Sequence, residues 1–182
     1  VFVLPTNLGL AMILMVAVIF FPFLLNPATG LKELMLPMAP TQLLWINLVA
    51  TVALALPLAF EAKEPKLMRR PPRRPDAPVL SGFVVTRTFV AASLMTIGAV
   101  GLFLWEYHAS GETADAMRRG QTMAVTTVIL FQVFYVLNCR SLKGSLLSIG
   151  LWTNITAFIG IAALLLLQLG FIFVHRVPGA VL

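Results

Sequence analysis

The stretch that decides the fold reads LLSIGLWTNITAFIGIAALLLLQLGFIFV, from Leu146 to Val174, and it contains no charged side chain. A membrane-crossing helix needs about 20 consecutive, mostly apolar residues. The run is longer than the roughly 9–11 residues of a membrane β-strand and does not alternate between polar and apolar residues. Because lipid cannot hydrogen-bond to the backbone, a helix that pairs its own backbone groups is the expected structure.

Four more apolar runs precede this one, at about residues 1–25, 42–60, 83–105 and 122–137. Of the 182 residues, 59% are hydrophobic and 11% are charged, whereas a soluble domain averages roughly 45–50% and about 25%. This composition excludes a soluble globular fold. We expect an all-α, polytopic transmembrane helix bundle of about five helices that forms a single transmembrane domain over residues 1–182.

The basic residues predict how the helices are oriented in the membrane. The connectors on one side of the membrane hold Lys63, Lys66, Arg69, Arg70, Arg73, Arg74, Arg87, Arg140 and Lys143, whereas those on the other hold Lys32, Arg118, Arg119 and Arg176. Cytoplasmic connectors carry the excess of Lys and Arg, so the Pro/Arg-rich loop 61–82 is expected in the cytoplasm. We therefore expect a protein integral to the cell membrane, with Val1 near the cytoplasm and Leu182 outside. Because the basic residues lie between apolar runs, nucleic acid is not an expected partner.

No acidic residue lies inside an apolar run. The seven acids are Glu33, Glu61, Glu64, Asp76, Glu106, Glu112 and Asp115, all in connectors or at run ends. An intramembrane ion pathway usually contains an ionisable group, so only neutral polar groups remain as candidates. Those inside or beside the runs are Thr6, Asn7, Asn47, Thr51, Thr96, Gln132, Asn154 and Gln168.

Two interpretations of these polar groups stay open. Asn47 and Thr51 are four residues apart and share one helical face, and Asn7 follows Pro5, which could open the helix locally. Their oxygens could together line a cation site. Alternatively, these groups only hydrogen-bond one helix to another, which the residues alone favour.

The single cysteine, Cys139, has no paired Cys/His spacing for zinc, so the identity of any bound metal is unknown. There are no nucleophile or phosphate-loop motifs, so no residue is expected to be catalytic.

Several segments resemble one family of transporters. They are Pro5–Gly9 (PTNLG), Gln42–Val49 (QLLWINLV), Met68–Arg73 (MRRPPR), Ser81–Gly82, and Leu137–Ser141 (LNCRS). In this combination and spacing, they look like the carboxy-terminal membrane sector of P-type cation-transporting ATPases, in the calcium-pump-like branch. The five runs would be helices five to nine of ten, and we expect the chain to be a fragment whose tenth helix lies downstream.

The resemblance implies a function that the residues alone do not. It places Asn7, Asn47, Thr51 and Gln132 in the ion pathway of an ATP-driven cation transporter. It implies that the basic loop, through Arg69, Arg70, Arg73 and Arg74, docks to a cytoplasmic phosphorylation domain. ATP and Mg would be needed by the parent protein, and none is expected for this chain. Because the chain lacks the family's phosphorylation and nucleotide-binding motifs, it should be inactive alone. The expected partners are the lipid bilayer, the transported cation, that domain and the missing helices.

The sequence departs from the family pattern where the family places charge. Leu10, Thr51 and Gln132 stand at positions that have acids in the calcium-pump pattern, and Ala50 replaces a ligating Thr. The usual unwinding of helix six is expected to be weakened because Val52 replaces a Gly. Calcium specificity does not follow, and a monovalent ion or proton is an alternative cargo. The competing hypothesis for the chain is a passive membrane scaffold or secondary-transporter subunit.

Overall fold

A computed structural model of the chain describes residues 2–25, 32–60, 81–139 and 155–176. Within them, five helical spans are long and apolar enough to cross a membrane. Helix α1 covers Val3–Phe20, α2 Pro40–Trp45, a π-helical turn Ile46–Ala50, α3 Thr51–Leu58, α4 Gly82–Ala109, α5 Ala114–Cys139 and α6 Ile155–Arg176. Together α2, the π turn and α3 form the second span. The predicted all-α transmembrane bundle is confirmed.

Helix α1 is shorter than the first apolar run because of a proline. Phe21 has an extended backbone (φ −94°, ψ 144°), since the ring of Pro22 disfavours helical geometry in the preceding residue. After it, strand β1 (Phe23–Leu25) pairs antiparallel with strand β2 (Lys32–Leu34). This two-stranded hairpin joins α1 to the second span and was not predicted from the sequence.

Helices α4 and α5 form a hairpin with a tight turn. The Ser81 hydroxyl accepts a hydrogen bond from the Val84 N–H at 3.4 Å and caps the start of α4. At the other end, Gly111 and Glu112 both have positive φ angles, 81° and 58°. These left-handed conformations reverse the chain within a few residues, so the two helices lie antiparallel.

Helix α5 begins at Ala114, well before the apolar run that starts near residue 122. The Thr113 hydroxyl accepts a hydrogen bond from the Ala116 N–H at 3.1 Å, and Asp115 lies in the first turn, where negative charge is favourable. A helix can continue beyond the bilayer core, where water tolerates polar side chains, so hydropathy underestimates its length. Residues 61–80 and 140–154 are outside the described part of the chain.

The helices pack in the order α1, α4, α5, second span, α6. Helix α4 contacts both α1 and α5, α5 reaches the π turn and α3, and α3 contacts α6. The buried face of α4 carries Ala91, Ala92, Met95, Ala99 and Phe103. Lipid is as apolar as these side chains, so the helices gain from close packing of small residues rather than from removal of apolar surface from water.

Helices α3 and α6 approach each other closely at Gly160. A Cβ atom at this position would lie 2.6 Å from the Ala53 carbonyl oxygen and 2.7 Å from Pro57 Cγ. Further along the same helix, a Cβ atom at Gly170 would have no neighbour within 4 Å. The α3–α6 contact therefore depends on the missing side chain of Gly160.

We predict that Gly160→Ala destabilises the protein by about 1–3 kcal/mol, because an added methyl group in a full contact forces the backbones apart. Gly170→Ala is the matched control and should leave stability unchanged or raise it by up to about 1 kcal/mol through helix propensity. Thermal unfolding in detergent, followed by circular dichroism, measures both. Equal melting temperatures for the two variants would contradict the close contact.

Candidate ion site

The second span changes its helical geometry at Asn47. The π turn Ile46–Ala50 lies between α2 and α3, and the Ile46 carbonyl accepts hydrogen bonds from both the Thr51 N–H and, at 3.1 Å, the Thr51 hydroxyl. In a π turn the backbone pairs five residues apart instead of four, and such turns occur often at functional sites. The expectation concerned unwinding of this helix, which Val52 in place of a Gly would weaken, and the span is a continuous helix from Pro40 to Leu58. The π turn widens the helix without breaking it, and the Thr51 hydroxyl adds a hydrogen bond to the wider turn.

An open groove of about 590 Å³ lies between α1 and the π turn. Its walls are Val3, Asn7, Leu10, Ala11 and Leu14 from α1, and Leu43, Asn47 and Thr51 from the second span. On each side the residues recur every three or four positions, so each helix presents one face to the groove. Three of the four residues predicted for the ion pathway, Asn7, Asn47 and Thr51, thus line the same groove.

The two asparagines are exposed to this groove and not enclosed in a bundle interior. Helix α1 runs without interruption through Asn7, so the local opening expected from Pro5 is not observed. Pro5 lies in the first turn of α1, where backbone N–H groups have no helical acceptor, and it therefore removes no helical hydrogen bond. The polar groups of the groove are therefore the amides of Asn7 and Asn47 and the Thr51 hydroxyl. Helix α1 is regular at this point and adds no irregular backbone.

The groove carries no formal charge. None of its lining residues is acidic or basic, and the described ranges contain no cluster of three or more His, Cys, Asp or Glu residues that could hold a metal ion. Amide and hydroxyl oxygens can ligate a hard cation, but they do not neutralise it. The groove as formed by this chain therefore contains oxygen atoms but no negative charge to compensate a dication.

Gln132 is not part of the groove. It lies on α5 and is completely buried, and neither its amide oxygen nor its amide nitrogen has a hydrogen-bond partner within residues 2–25, 32–60, 81–139 and 155–176. Leaving a buried amide unpaired costs about 1–3 kcal/mol. The structure therefore separates Gln132 from the other three candidates and leaves it as a buried polar group with unmet hydrogen bonds.

Other polar side chains in the spans connect helices. The Thr96 hydroxyl donates to the Ala92 carbonyl at 2.8 Å and lies 3.3 Å from the Gly9 carbonyl on α1. Thr6 bonds within its own helix, to the Phe2 carbonyl at 3.3 Å. The contact of Thr96 with α1 therefore fits the packing interpretation, whereas the hydrogen bond of Thr6 stays within α1.

Gln168 links three spans. Its Oε1 accepts a hydrogen bond from the Trp45 Nε1–H at 3.1 Å, and its Nε2 donates to the Thr126 hydroxyl at 3.3 Å. The Trp45 ring also stacks on Phe171, with ring centroids 5.0 Å apart. Sequence analysis identified Gln168 but not its partners. A tryptophan inside an apolar run was the available signal, because a buried indole N–H needs an acceptor.

The remaining predicted site residues cannot be placed. Arg69, Arg70, Arg73 and Arg74, proposed for docking, all lie between residues 61 and 80, outside the described residues. Asn154 lies outside them as well.

Comparison with protein families gives a match over most of the chain. The family model described as the cation transporting ATPase C-terminus matches residues 35–181. Among curated proteins, the probable cation-transporting ATPase F of Mycobacterium tuberculosis is 37% identical over 160 residues, which is 88% of this chain and 16% of the relative.

Two further relatives extend this similarity. The cation-transporting ATPase pma1 of Synechocystis is 31% identical over 176 residues, 93% of this chain and 18% of the relative. A calcium-transporting ATPase of Bacillus subtilis is 32% identical over 111 residues, 61% of this chain and 12% of the relative. The chain thus spans less than a fifth of the length of these curated relatives. Together with the five apolar helices, the matches show an integral membrane segment.

We predict that Trp45 and Gln168 are energetically coupled. Interhelical hydrogen bonds in membrane proteins contribute about 0.6 kcal/mol on average and up to about 1.7 kcal/mol. A double-mutant cycle with Trp45→Phe and Gln168→Leu, measured by unfolding in mixed micelles, should give a coupling in this range. Trp105→Phe, at an exposed tryptophan on α4, is the control and should show no coupling to Gln168→Leu. Strict additivity of the Trp45 pair would contradict the bond.

Proposed function

Because the chain belongs to the cation-transporting ATPase C-terminal family, as part of the membrane sector of a calcium-pump-like P-type ATPase, we propose that it forms one wall of the cation pathway in an ATP-driven pump. The groove between α1 and the π turn is the proposed ion-facing surface. Asn7, Asn47 and Thr51 provide the oxygen atoms that a dehydrating cation would contact.

The observation that carries this proposal is the position of the π turn. It occupies the segment that contains Asn47, and the groove face of the second span passes through Asn47 and Thr51. A fully α-helical span would satisfy the requirement of lipid for paired backbone groups more simply. Irregular backbone at membrane depth is tolerated where it lines a cavity or lies within protein, which supports an ion-handling role for this segment.

The groove contains no carboxylate to compensate the charge of a bound cation. Such a carboxylate comes from another part of the pump or is not needed. Leu10 and Thr51 occupy positions where the resemblance expects acids, and the groove residues are all neutral. If the cargo is divalent, a membrane helix of the parent protein outside this chain supplies the carboxylate. If the cargo is monovalent, amide, hydroxyl and carbonyl oxygens are sufficient ligands. Measuring ion dependence distinguishes these two cases.

Gln132 belongs to the same proposal as a second polar position. A buried amide without protein partners can bind ordered water, which typically makes about three hydrogen bonds to such groups. Its burial on α5, against the span that holds the π turn, supports a role in hydrating the pathway or in accepting a second ion.

In the whole pump, the chain would contribute membrane helices and the other parts would use ATP. ATP and Mg would act in a cytoplasmic phosphorylation domain, to which the basic loop docks through Arg69, Arg70, Arg73 and Arg74. The excess of Lys and Arg supports a cytoplasmic position for this loop. Residue 1 would then lie near the cytoplasmic face of the cell membrane and residue 182 outside the cell. The chain itself would hydrolyse no ATP.

A passive scaffold is the second candidate. The hydrogen bonds of Thr96 and Gln168 to neighbouring helices favour it for those two residues. The groove residues differ, because the structure contains no hydrogen bond between the Asn7 or Asn47 side chain and any other described residue.

We predict that Asn47→Ala in the full-length protein raises the ion concentration for half-maximal phosphorylation by roughly 10- to 100-fold, because losing one hydrogen bond or ligand to a charged group costs about 1.5–3 kcal/mol. Asn7→Ala should act in the same direction. Ion-stimulated phosphorylation and vesicle transport, measured with Ca, Mg, Na, K and protons, test both variants and identify the cargo.

Leu48→Ala is the matched control. Leu48 is next to Asn47 and 62% exposed, but it does not line the groove. Phosphorylation of Leu48→Ala should therefore depend on ion concentration as in the wild type. If Asn7→Ala, Asn47→Ala and Leu48→Ala all keep the ion dependence of the wild type, the groove plays no part in ion binding. The scaffold function is then favoured.

We also predict that replacing the four arginines Arg69, Arg70, Arg73 and Arg74 by Gln slows phosphorylation and reduces its sensitivity to salt, because exposed charge pairing is screened as ionic strength rises. Arg118→Gln combined with Arg119→Gln, on the opposite side of the membrane, is the control. A quadruple variant with wild-type phosphorylation kinetics and salt dependence would remove the docking function from the loop.

A further inference from the structure

A second groove, of about 420 Å³, lies between α4 and α5 at the end of the hairpin where α4 begins and α5 ends. Its apolar wall consists of Phe83, Val90, Leu94, Phe131 and Phe134. Four of these, all except Phe131, are more than half exposed. In a membrane helix such side chains face acyl chains, so the groove opens toward lipid. No part of the proposed ion pathway lines it.

One cation marks the polar end of this groove. The Arg87 Nη2 donates a hydrogen bond to the Asn138 carbonyl oxygen at 3.0 Å, and the guanidinium carbon lies 5.5 Å from the centre of the Tyr135 ring. These contacts hold the side chain in place across the two helices. In the described ranges Arg87 forms no ion pair with an acid, so its charge is not neutralised by them.

A buried hydroxyl lies beside this cation. Tyr135 lines the groove and is only 6% exposed, and its ring stacks with Phe2 and Phe131. Its hydroxyl lies near Arg87 and Cys139 but forms no hydrogen bond of normal geometry with any described residue. A buried tyrosine hydroxyl normally has a partner. The groove therefore contains a positive charge with no acidic partner in the described residues, held against the ring of a buried tyrosine.

We propose that this groove binds one anionic phospholipid from the cytoplasmic leaflet. The phosphate accepts charge-assisted hydrogen bonds from Arg87, which the Asn138 carbonyl and the Tyr135 ring hold in place, and one acyl chain lies along Phe83, Val90 and Leu94. Guanidinium groups bind phosphate through two parallel N–H donors, and the aromatic and branched side chains fit a hydrocarbon chain. The ligand meets both needs of the site, a negative charge and an apolar tail.

The flanking sequence identifies the leaflet. The loop before α4 holds six of the chain's Lys and Arg residues, and Arg140 follows directly after the last residue of α5. Connectors with this excess face the cytoplasm, where anionic lipids attract basic segments close to the membrane. A zwitterionic lipid would bring an ammonium group to the same positively charged region and should bind less well.

The test is native mass spectrometry of the full-length protein from nanodiscs that contain phosphatidylglycerol or phosphatidylcholine. We expect the wild type to retain one phosphatidylglycerol, and Arg87→Gln to weaken its binding about tenfold with little effect on phosphatidylcholine. Arg118→Gln removes the same charge from the opposite end of the hairpin, where the side chain is exposed, and should bind the lipid as the wild type does.

A second pair of variants tests the apolar wall without changing charge. Leu94→Trp fills the groove, whereas Ile97→Trp places the same ring on the same helix at an exposed position that does not line it. Leu94→Trp should abolish retention of the first phosphatidylglycerol, and Ile97→Trp should preserve it. Glycerol phosphate, which has the headgroup but no acyl chain, should not displace the lipid.

Three results would overturn the proposal. Equal retention of phosphatidylglycerol and phosphatidylcholine by the wild type would show nonspecific boundary lipid, and equal losses in Arg87→Gln and Arg118→Gln would show a general charge effect. If the wild type retains no lipid and Leu94→Trp unfolds during size-exclusion chromatography while Ile97→Trp does not, another helix of the full-length protein occupies the groove. None of these results depends on ion transport.

Discussion

Lipid does not hydrogen-bond, and the rest of the structure depends on that constraint. Every backbone group in the spans must be paired by the helix itself or by a neighbouring polar group, so regular helices dominate the described residues. The second span shows how a departure from this rule is stabilised. At Ile46–Ala50 the backbone widens into a π turn, and the Thr51 hydroxyl adds a hydrogen bond to the Ile46 carbonyl. The π turn faces a groove with Asn47 and contacts α5 elsewhere on its circumference.

Hydropathy was sufficient to predict the five spans but not their ends. Apolar runs close to or above the roughly 20 residues of a crossing have few alternatives to a membrane helix, and the number and order of the five runs agree with the structure. The ends depend on local chemistry that hydropathy does not measure. Pro22 ends α1 early, and the hydroxyl of Thr113 starts α5 in a polar stretch. The strands after α1 depend on pairing between Phe23–Leu25 and Lys32–Leu34, which no helix-length pattern contains.

The candidate site was only partly predictable for a different reason. A sequence shows that Asn47 and Gln168 are amides within apolar runs, but the function of an amide depends on what faces it. Gln168 faces Trp45 and Thr126 and connects helices, whereas Asn47 faces a groove. The spacing of Asn47 and Thr51 correctly placed both on one face, since it needs only helical periodicity. The grouping with Gln132 required knowledge of tertiary packing, and the structure buries that residue elsewhere.

The π turn also sets the register of everything that follows it along the second span. A π turn holds one more residue than the corresponding α turn, and each residue of an α-helix turns the chain by about 100°. Conversion of Ile46–Ala50 to α geometry would therefore twist α3 relative to α2 by about that angle. Asn47 and Thr51, four residues apart, would still share a face, but Gly160 of α6 would meet a different side of α3. The winding of these five residues therefore links the shape of the groove to the packing of α6 against α3.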